Sequence, residues 1–171
     1  MNKDSKNSVI VVIPQKQHLD SFLTYMTPSH KIFAGRYRLP GGKLKPEENY
    51  ESALKRELIE EYGVNLDAVV LHYQKPNVLG GTIYLCSAQM IGTPIPKESD
   101  VGEVEWLNLE QIFESNMVPN CKIAVCAYLL EKNPNELRRL RPIIYGDQEF
   151  LQIITLKAES LYEKINRFVK D

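Results

Sequence analysis

The chain has 171 residues, a formal net charge of -1, and 25% charged against 43% hydrophobic residues. These values suit one soluble globular domain with an appended helix or two, and they exclude binding to nucleic acid through a general basic excess. The longest apolar run, Val9 to Ile13, is far too short to span a bilayer, and the opening MNKDSKNS lacks the apolar stretch of a secretory signal.

In chain order, residues 1–7 read as a polar tail. Ser8 to Pro14 is β-branched and bounded by proline, which predicts a buried strand. Ser21 to Met26 predicts a second strand, Thr27 to His30 a turn, and Arg36 to Pro40 a short extended segment entering Gly41-Gly42. A helix follows, from about Asn49 to Tyr62. Upstream of it lie Pro46 and the acidic pair Glu47-Glu48; Gly63 ends it. Ala68 to Tyr73, Thr82 to Met90 and Glu103 to Leu107 read as strands. Leu109 to Glu114 and Cys121 to Leu130 read as helices. Phe150, Leu151, Ile154, Leu161, Ile165 and Phe168 recur at helical spacing, predicting one long amphipathic helix over 149–168. Its apolar stripe must be buried, either on the domain or against a second copy in a homodimer.

Cys86, Cys121 and Cys126 form no Cys-x-x-Cys pair. That argues against a disulfide framework or a zinc site and predicts a reducing, cytoplasmic setting. His18, His30 and His72 are dispersed and read as structural or surface residues.

The helix at 49–62 has two unlike sides. Leu54, Leu58 and Tyr62 make an apolar stripe, while Glu57, Glu60 and Glu61 stack three carboxylates on another face. Such a face is costly unless a positive group neutralises it. Mg2+, a hard cation that prefers oxygen ligands, is the natural candidate. The glycine loop Gly41 to Pro46 can bring bare backbone close to a phosphate or a metal.

Gly42, Glu48, Arg56, Glu57, Leu58, Glu60, Glu61, Gly63 and Val64 fill every defined position of a spaced pattern. The pattern is Gly, five residues, Glu, seven residues, then Arg-Glu-aliphatic-x-Glu-Glu-x-Gly-aliphatic. This resembles the signature box of the Nudix (MutT-like) hydrolases. The lead-in Tyr37 to Gly42 is similar to the family's aromatic-x-Leu-Pro-Gly-Gly, and Trp106 with the helix after it resembles the family's late strand and helix. Two positions depart from common family usage: Lys45 stands where relatives often carry Glu, and Glu47 where they often carry Gly. The second predicts an altered loop path, since Glu47 replaces a residue that takes positive φ at low cost. From Asn133 onward nothing resembles the family.

The resemblance implies a fold, a reaction and a set of roles. The fold is an α/β/α sandwich of the Nudix type with a mixed β-sheet over 8–132 and an extra C-terminal helical segment over 133–171. The reaction is Mg2+-dependent hydrolysis, with Mn2+ as an alternative, of a pyrophosphate bond in a nucleoside diphosphate linked to another moiety. Candidate substrates are nucleoside triphosphates, ADP-ribose, nucleotide sugars and capped RNA ends, the last being the one nucleic acid left open. Glu57, Glu60, Glu61 and the Gly41 carbonyl become metal ligands, with Glu57 and Glu60 the first candidates for general base. Gly42, Glu48, Arg56 and Gly63 become structural supports. Arg36, Tyr37, Arg38 and Tyr84 are candidate substrate contacts, and Glu98, Asp100 and Glu103 candidate loop bases or ligands. The aromatics read more readily as core and Lys45 more readily as solvated, while the arginines read equally as solvated strand ends. The other functional class is a Nudix-fold sensor that binds a nucleotide without turnover.

Overall fold

The computed structural model describes residues 6–16, 18–77, 80–97, 101–156 and 160–170. Among the described residues eight strands make two sheets. In the first, β5 (Gly41–Lys43), β1 (Ser8–Val12), β7 (Thr82–Ile91) and β6 (Asn65–Pro76) lie side by side in that order. β1 runs parallel to β7 and the other pairs are antiparallel, so the sheet is mixed. In the second, β3 (His18–Met26) pairs antiparallel with β2 (Pro14–Gln15), β4 (Tyr37–Arg38) and β8 (Val104–Asn108).

Alternation along the strands sorts side chains onto two faces. Val9, Val11, Leu23, Tyr25, Cys86 and Ala88 join Ala53, Leu54, Leu58 and Tyr62 of α1 (Tyr50–Tyr62) in one core. Val12, Phe22, Ile83, Leu85 and Leu107 belong to the other core. There they meet α2 (Leu109–Glu114) and α3 (Pro119–Lys132). The result is a helix–sheet–helix sandwich, with α1 on one face and α3 on the opposite one.

Three local expectations are corrected. The strand expected at 68–73 extends over Asn65–Pro76. Its register slips between Asp67 and Val70 and again between Leu71 and Tyr73, with Ala68 at φ 49°, and these bulges interrupt the alternation that reveals a strand. Two short helices that sequence reading did not foresee, α4 (Pro134–Arg139) and α5 (Arg141–Gly146), follow α3 directly. The single long C-terminal helix is instead two, α6 (Gln148–Leu156) and α7 (Ser160–Lys170), which pack on each other and on α3. Residues 157–159, within the span expected as helix, lie outside the described residues.

Phe150, Leu161, Tyr162 and Ile165 are buried in the same core as α3, with Leu151 and Phe168 packed against it. Ile154 lies outside the described side chains. Charged contacts add to this packing. The Lys122 ammonium is buried and donates to Phe113 O at 3.1 Å, to Ser115 O at 2.9 Å, and to Asp147. Arg139 pairs with Glu110, and Arg36 forks onto Glu149. Among the described residues no helix is long and apolar enough to cross a membrane.

Removing Asp147 leaves a buried ammonium with carbonyl partners only. Asp147→Ala should cost on the order of 3 kcal/mol, read as a lowered urea midpoint. Adding Lys122→Met should recover part of that loss, because the uncompensated charge is gone.

Candidate active site

Helix α1 is fixed at both ends by local chemistry. Asn49, extended at φ -89° and ψ 170°, accepts from Ser52 N at 2.8 Å and caps the first turn. Gly63 stops the helix at φ 70°, donating back to Ile59 O at 3.1 Å, and Val64 donates to Leu58 O at 3.3 Å. Between these caps, burial of Leu54, Leu58 and Tyr62 sets the rotation of the helix. Glu57 and Glu60 thereby face the glycine loop.

Arg56 organises that face. Its Nε donates to Glu48 Oε1 at 2.7 Å and its Nη2 to Glu48 Oε2 at 2.9 Å, a bidentate fork. The same Nη2 donates to Lys43 O at 3.0 Å. Its Nη1 meets Glu57 Oε1 at 2.9 Å and Glu60 Oε2 at 3.0 Å. One guanidinium thus joins β5, the loop and two of the three box carboxylates. Glu48 also accepts from Lys45 N at 2.7 Å. These partners, the Arg56 hydrogen bonds first, hold the Glu48 carboxyl down at about 2. Arg56 in turn is raised further above its usual value, chiefly by Glu48. Burial raises Glu57, and Arg56 opposes that rise.

The two glycines answer different steric demands. Gly41 has φ +154°, and a Cβ there would stand 2.1 Å from Val9 O, so β5 can approach β1 only without one. A Cβ on Gly42 would stand 2.3 Å from the Glu57 carboxyl carbon and from Oε1. The Glu57 carboxylate therefore rests against bare backbone. In the loop after Gly42, Glu47 has a positive φ of 69°, the conformation that glycine would take at low cost. The side chain tolerates the left-handed turn at a cost of about 1–2 kcal/mol.

Glu61, the third of these carboxylates, is half-buried. Its Oε2 is buried, and its charge acts on Tyr25 and Tyr62, whose rings lie 6.2 Å apart. Burial is the main reason that Tyr25 is pushed up to about 12; Arg38 opposes it and Glu61 adds to it. Arg38 acts on the same two phenols, and its Nε is buried with no hydrogen-bond partner among the described residues.

A sequence model of the NUDIX domain matches residues 5–126. The chain belongs to the Nudix family. It is a Nudix hydrolase, one of a family of pyrophosphate-bond hydrolases. Its fold is similar to a Nudix hydrolase from Nitrosomonas europaea, at 22% identity and TM-score 0.61, over 75% of this chain and 90% of that one. It is similar to a MutT Nudix hydrolase from Burkholderia pseudomallei, at 21% identity and TM-score 0.56, over 72% and 97%. An ADP-ribose pyrophosphatase from Streptococcus suis matches at 16% identity and TM-score 0.57, over 74% and 92%.

The expected substrate contacts of this Nudix hydrolase divide sharply. Arg36 is committed to Asn116 O, Met117 O and Glu149, tying the start of β4 to the α2–α3 connection and to α6. Tyr37 donates to Glu105 Oε2 at 2.9 Å, which raises its phenol. Tyr84 stacks on Tyr50 at 5.6 Å, inside the α1 side of the sandwich. Arg38 is the one of the four whose charge acts, with that of Glu61, on Tyr25 and Tyr62. Glu103 is exposed, and its carbonyl accepts from Met26 N at 3.3 Å. With Glu105 it lines a cleft of about 750 Å³ between Met26–Gly35 and the start of β8. Glu98 and Asp100 lie outside the described residues. The stretch before them is pinned to the end of α1, where Ile95 N donates to Tyr62 O and Lys97 N to Glu61 O.

A second polar constellation lies between sheet and α3. Ser87 Oγ is 2.7 Å from His72 Nε2, and His72 Nδ1 is 2.5 Å from Glu131 Oε2. That is the hydrogen-bond order of a serine–histidine–carboxylate relay. Yet the His72 side chain is 2% exposed and Ser87 6%, leaving a substrate no way to the hydroxyl. The trio is a strut joining β6, β7 and α3.

Gly42→Ala should push the Glu57 carboxylate aside. Steady-state assays should show kcat lower by on the order of 10²-fold, the cost of a misplaced reacting group, with a much smaller change in Tm. Glu48 gives a pH signature. Its folded value lies below its ordinary 4.5, so its contribution is present above about pH 4.5 and is withdrawn as pH falls toward 2. Chemical denaturation from pH 6 to 2 should show Glu48→Gln to be less stable at pH 6 and less sensitive to acid than the parent.

Proposed function

We propose that this Nudix hydrolase cleaves the pyrophosphate bond of a nucleoside diphosphate linked to another moiety, and that Mg2+ or Mn2+ is held by Glu57, Glu60 and Glu61. The donor set is all carboxylate oxygen from one helix, which suits a hard cation. Among the described residues no three acidic, histidine or cysteine side chains converge into a ready metal cage. The reason is local: Arg56 draws Glu57 and Glu60 to itself, while Glu61 faces Tyr25 and Tyr62. Gly41 could add its carbonyl to the set. Bound there, the cation would neutralise pyrophosphate charge and make a water more acidic.

The chain's own residues supply the rest. Glu57 is the proton acceptor we favour over Glu60. Burial raises its affinity for a proton, and contact with Gly42 and Arg56 fixes where it stands. Arg38 is the phosphate contact we favour, its buried Nε being a donor with an unmet demand. The cleft beside Glu103 and Glu105 is lined by no cation, which suits the part of the substrate beyond the phosphates. The three free, buried cysteines agree with a cytoplasmic setting.

One observation carries the reading: the Glu57 carboxylate lies against Gly42 while Arg56 ties it to Glu48, a positioned acid face rather than a solvated one. The test is nucleoside-monophosphate or phosphate release from a panel of nucleoside diphosphate derivatives. Turnover should require Mg2+ or Mn2+, vanish in EDTA, and fall at least 10²-fold in Glu60→Gln and Glu57→Gln. A folded protein that binds a nucleotide tightly and turns over none of the panel would instead be a sensor.

A further inference from the structure

We propose that Lys45 is an exchangeable counter-ion, neutralising Glu60 in the metal-free protein and passing to a phosphate oxygen of the substrate once a cation takes Glu60. The proposal rests on the metal reading above and adds a residue to it.

The two oxygens of Glu60 are held by different cations. Oε2 accepts from Arg56 Nη1 at 3.0 Å, and Oε1 lies 3.7 Å from Lys45 Nζ. A metal ion ligated by Glu60 would be repelled by both of these positive groups, and the more weakly held one gives way first. Arg56 cannot be the one that leaves. Its side chain is only 18% exposed, and its fork also holds Glu48 and Lys43 O.

Lys45 has the opposite character. Its side chain is 60% exposed, and its contact with Glu60 is long. Its backbone is nonetheless fixed, because Lys45 N donates to Glu48 Oε2 at 2.7 Å and Lys45 O accepts from Glu48 N at 3.1 Å. A rooted, flexible, strongly hydrated ammonium can change partners without moving the loop. Its field also reaches Glu57, whose carboxyl it lowers. A cation arriving at this face therefore competes with Lys45 directly. A lysine displaced there finds itself beside a substrate carrying several negative oxygens.

The test measures binding, not turnover. Mn2+ is titrated into the full-length protein and free Mn2+ is followed by electron paramagnetic resonance. Lys45→Met should bind Mn2+ roughly two- to fivefold more tightly than the parent, the range set by one exposed ion pair. Lys55→Met removes the same charge from α1 itself, where Lys55 pairs with Glu51, and should leave Mn2+ affinity unchanged. With Mn2+ saturating, imidodiphosphate, a pyrophosphate analogue resistant to hydrolysis, should bind Lys45→Met more weakly than the parent by a similar factor. Lys45→Arg should behave as the parent in both assays.

Equal Mn2+ affinity in parent and Lys45→Met overturns the proposal, and so does an equal shift in Lys45→Met and Lys55→Met, which would be general electrostatics. Tighter Mn2+ binding with unchanged imidodiphosphate binding overturns the transfer to phosphate. If the parent binds no Mn2+ at all, the metal reading itself fails, an outcome distinct from the others.

Discussion

The Arg56 guanidinium is the interaction on which the site depends. It engages all three of its nitrogens, with Glu48, Glu57, Glu60 and Lys43 O as partners. A lysine could not replace it, because one point charge cannot present a planar fork to two elements at once. The arrangement also resolves an electrostatic problem. Three glutamates on one helix face repel each other and would splay or protonate if left alone. Arg56 places one positive charge between two of them and ties both to a loop that is itself anchored by Glu48. The same contact that stabilises the acid face therefore aims it.

That aim depends on backbone as much as on charge. Gly42 matters for what it lacks: the space a Cβ would fill is occupied by the Glu57 carboxyl group. Glu47 matters for what it tolerates. Its positive φ is unfavourable for a side chain, yet the turn persists because its neighbours over-determine it. Lys45 and Glu48 exchange hydrogen bonds on either side of the turn, and Asn49 caps the helix immediately after it. The strain is confined to one residue and offset by the contacts that flank it.

Much of this was legible in the sequence, and the illegible parts share a cause. The α1 boundaries, its buried stripe and its acid face follow from residues a few positions apart, so spacing reveals them. The roles of Arg36, Tyr37 and Tyr84 do not, because their partners Glu149, Glu105 and Tyr50 are distant in the chain and nothing local points to them. The same holds for Lys122, which reads as one more surface lysine until Asp147 is folded back onto it. Strand β6 was half visible because two bulges break its alternation.

The C-terminal helices bear on the site through β4. Arg36, at the start of that strand, is gripped by Glu149 of α6 and by the carbonyls of Asn116 and Met117. Two residues later comes Arg38, whose charge acts on Tyr25 and Tyr62, and Leu39 N donates to Cys121 Sγ at 3.4 Å before the chain enters Gly41 and Gly42. The lead-in to the glycine loop is therefore held on the α3 side and read out on the α1 side. Lys122 and Asp147 fix the base of the same grip, since Asp147 also accepts from Phe150 N at 3.0 Å and so starts α6. A segment without family resemblance thus sets the rigidity of the strand that carries Arg38. Its removal would loosen the strand that carries Arg38 before it disturbed the Arg56 network, whose partners Glu48, Glu57, Glu60 and Lys43 O all lie in β5, the loop and α1.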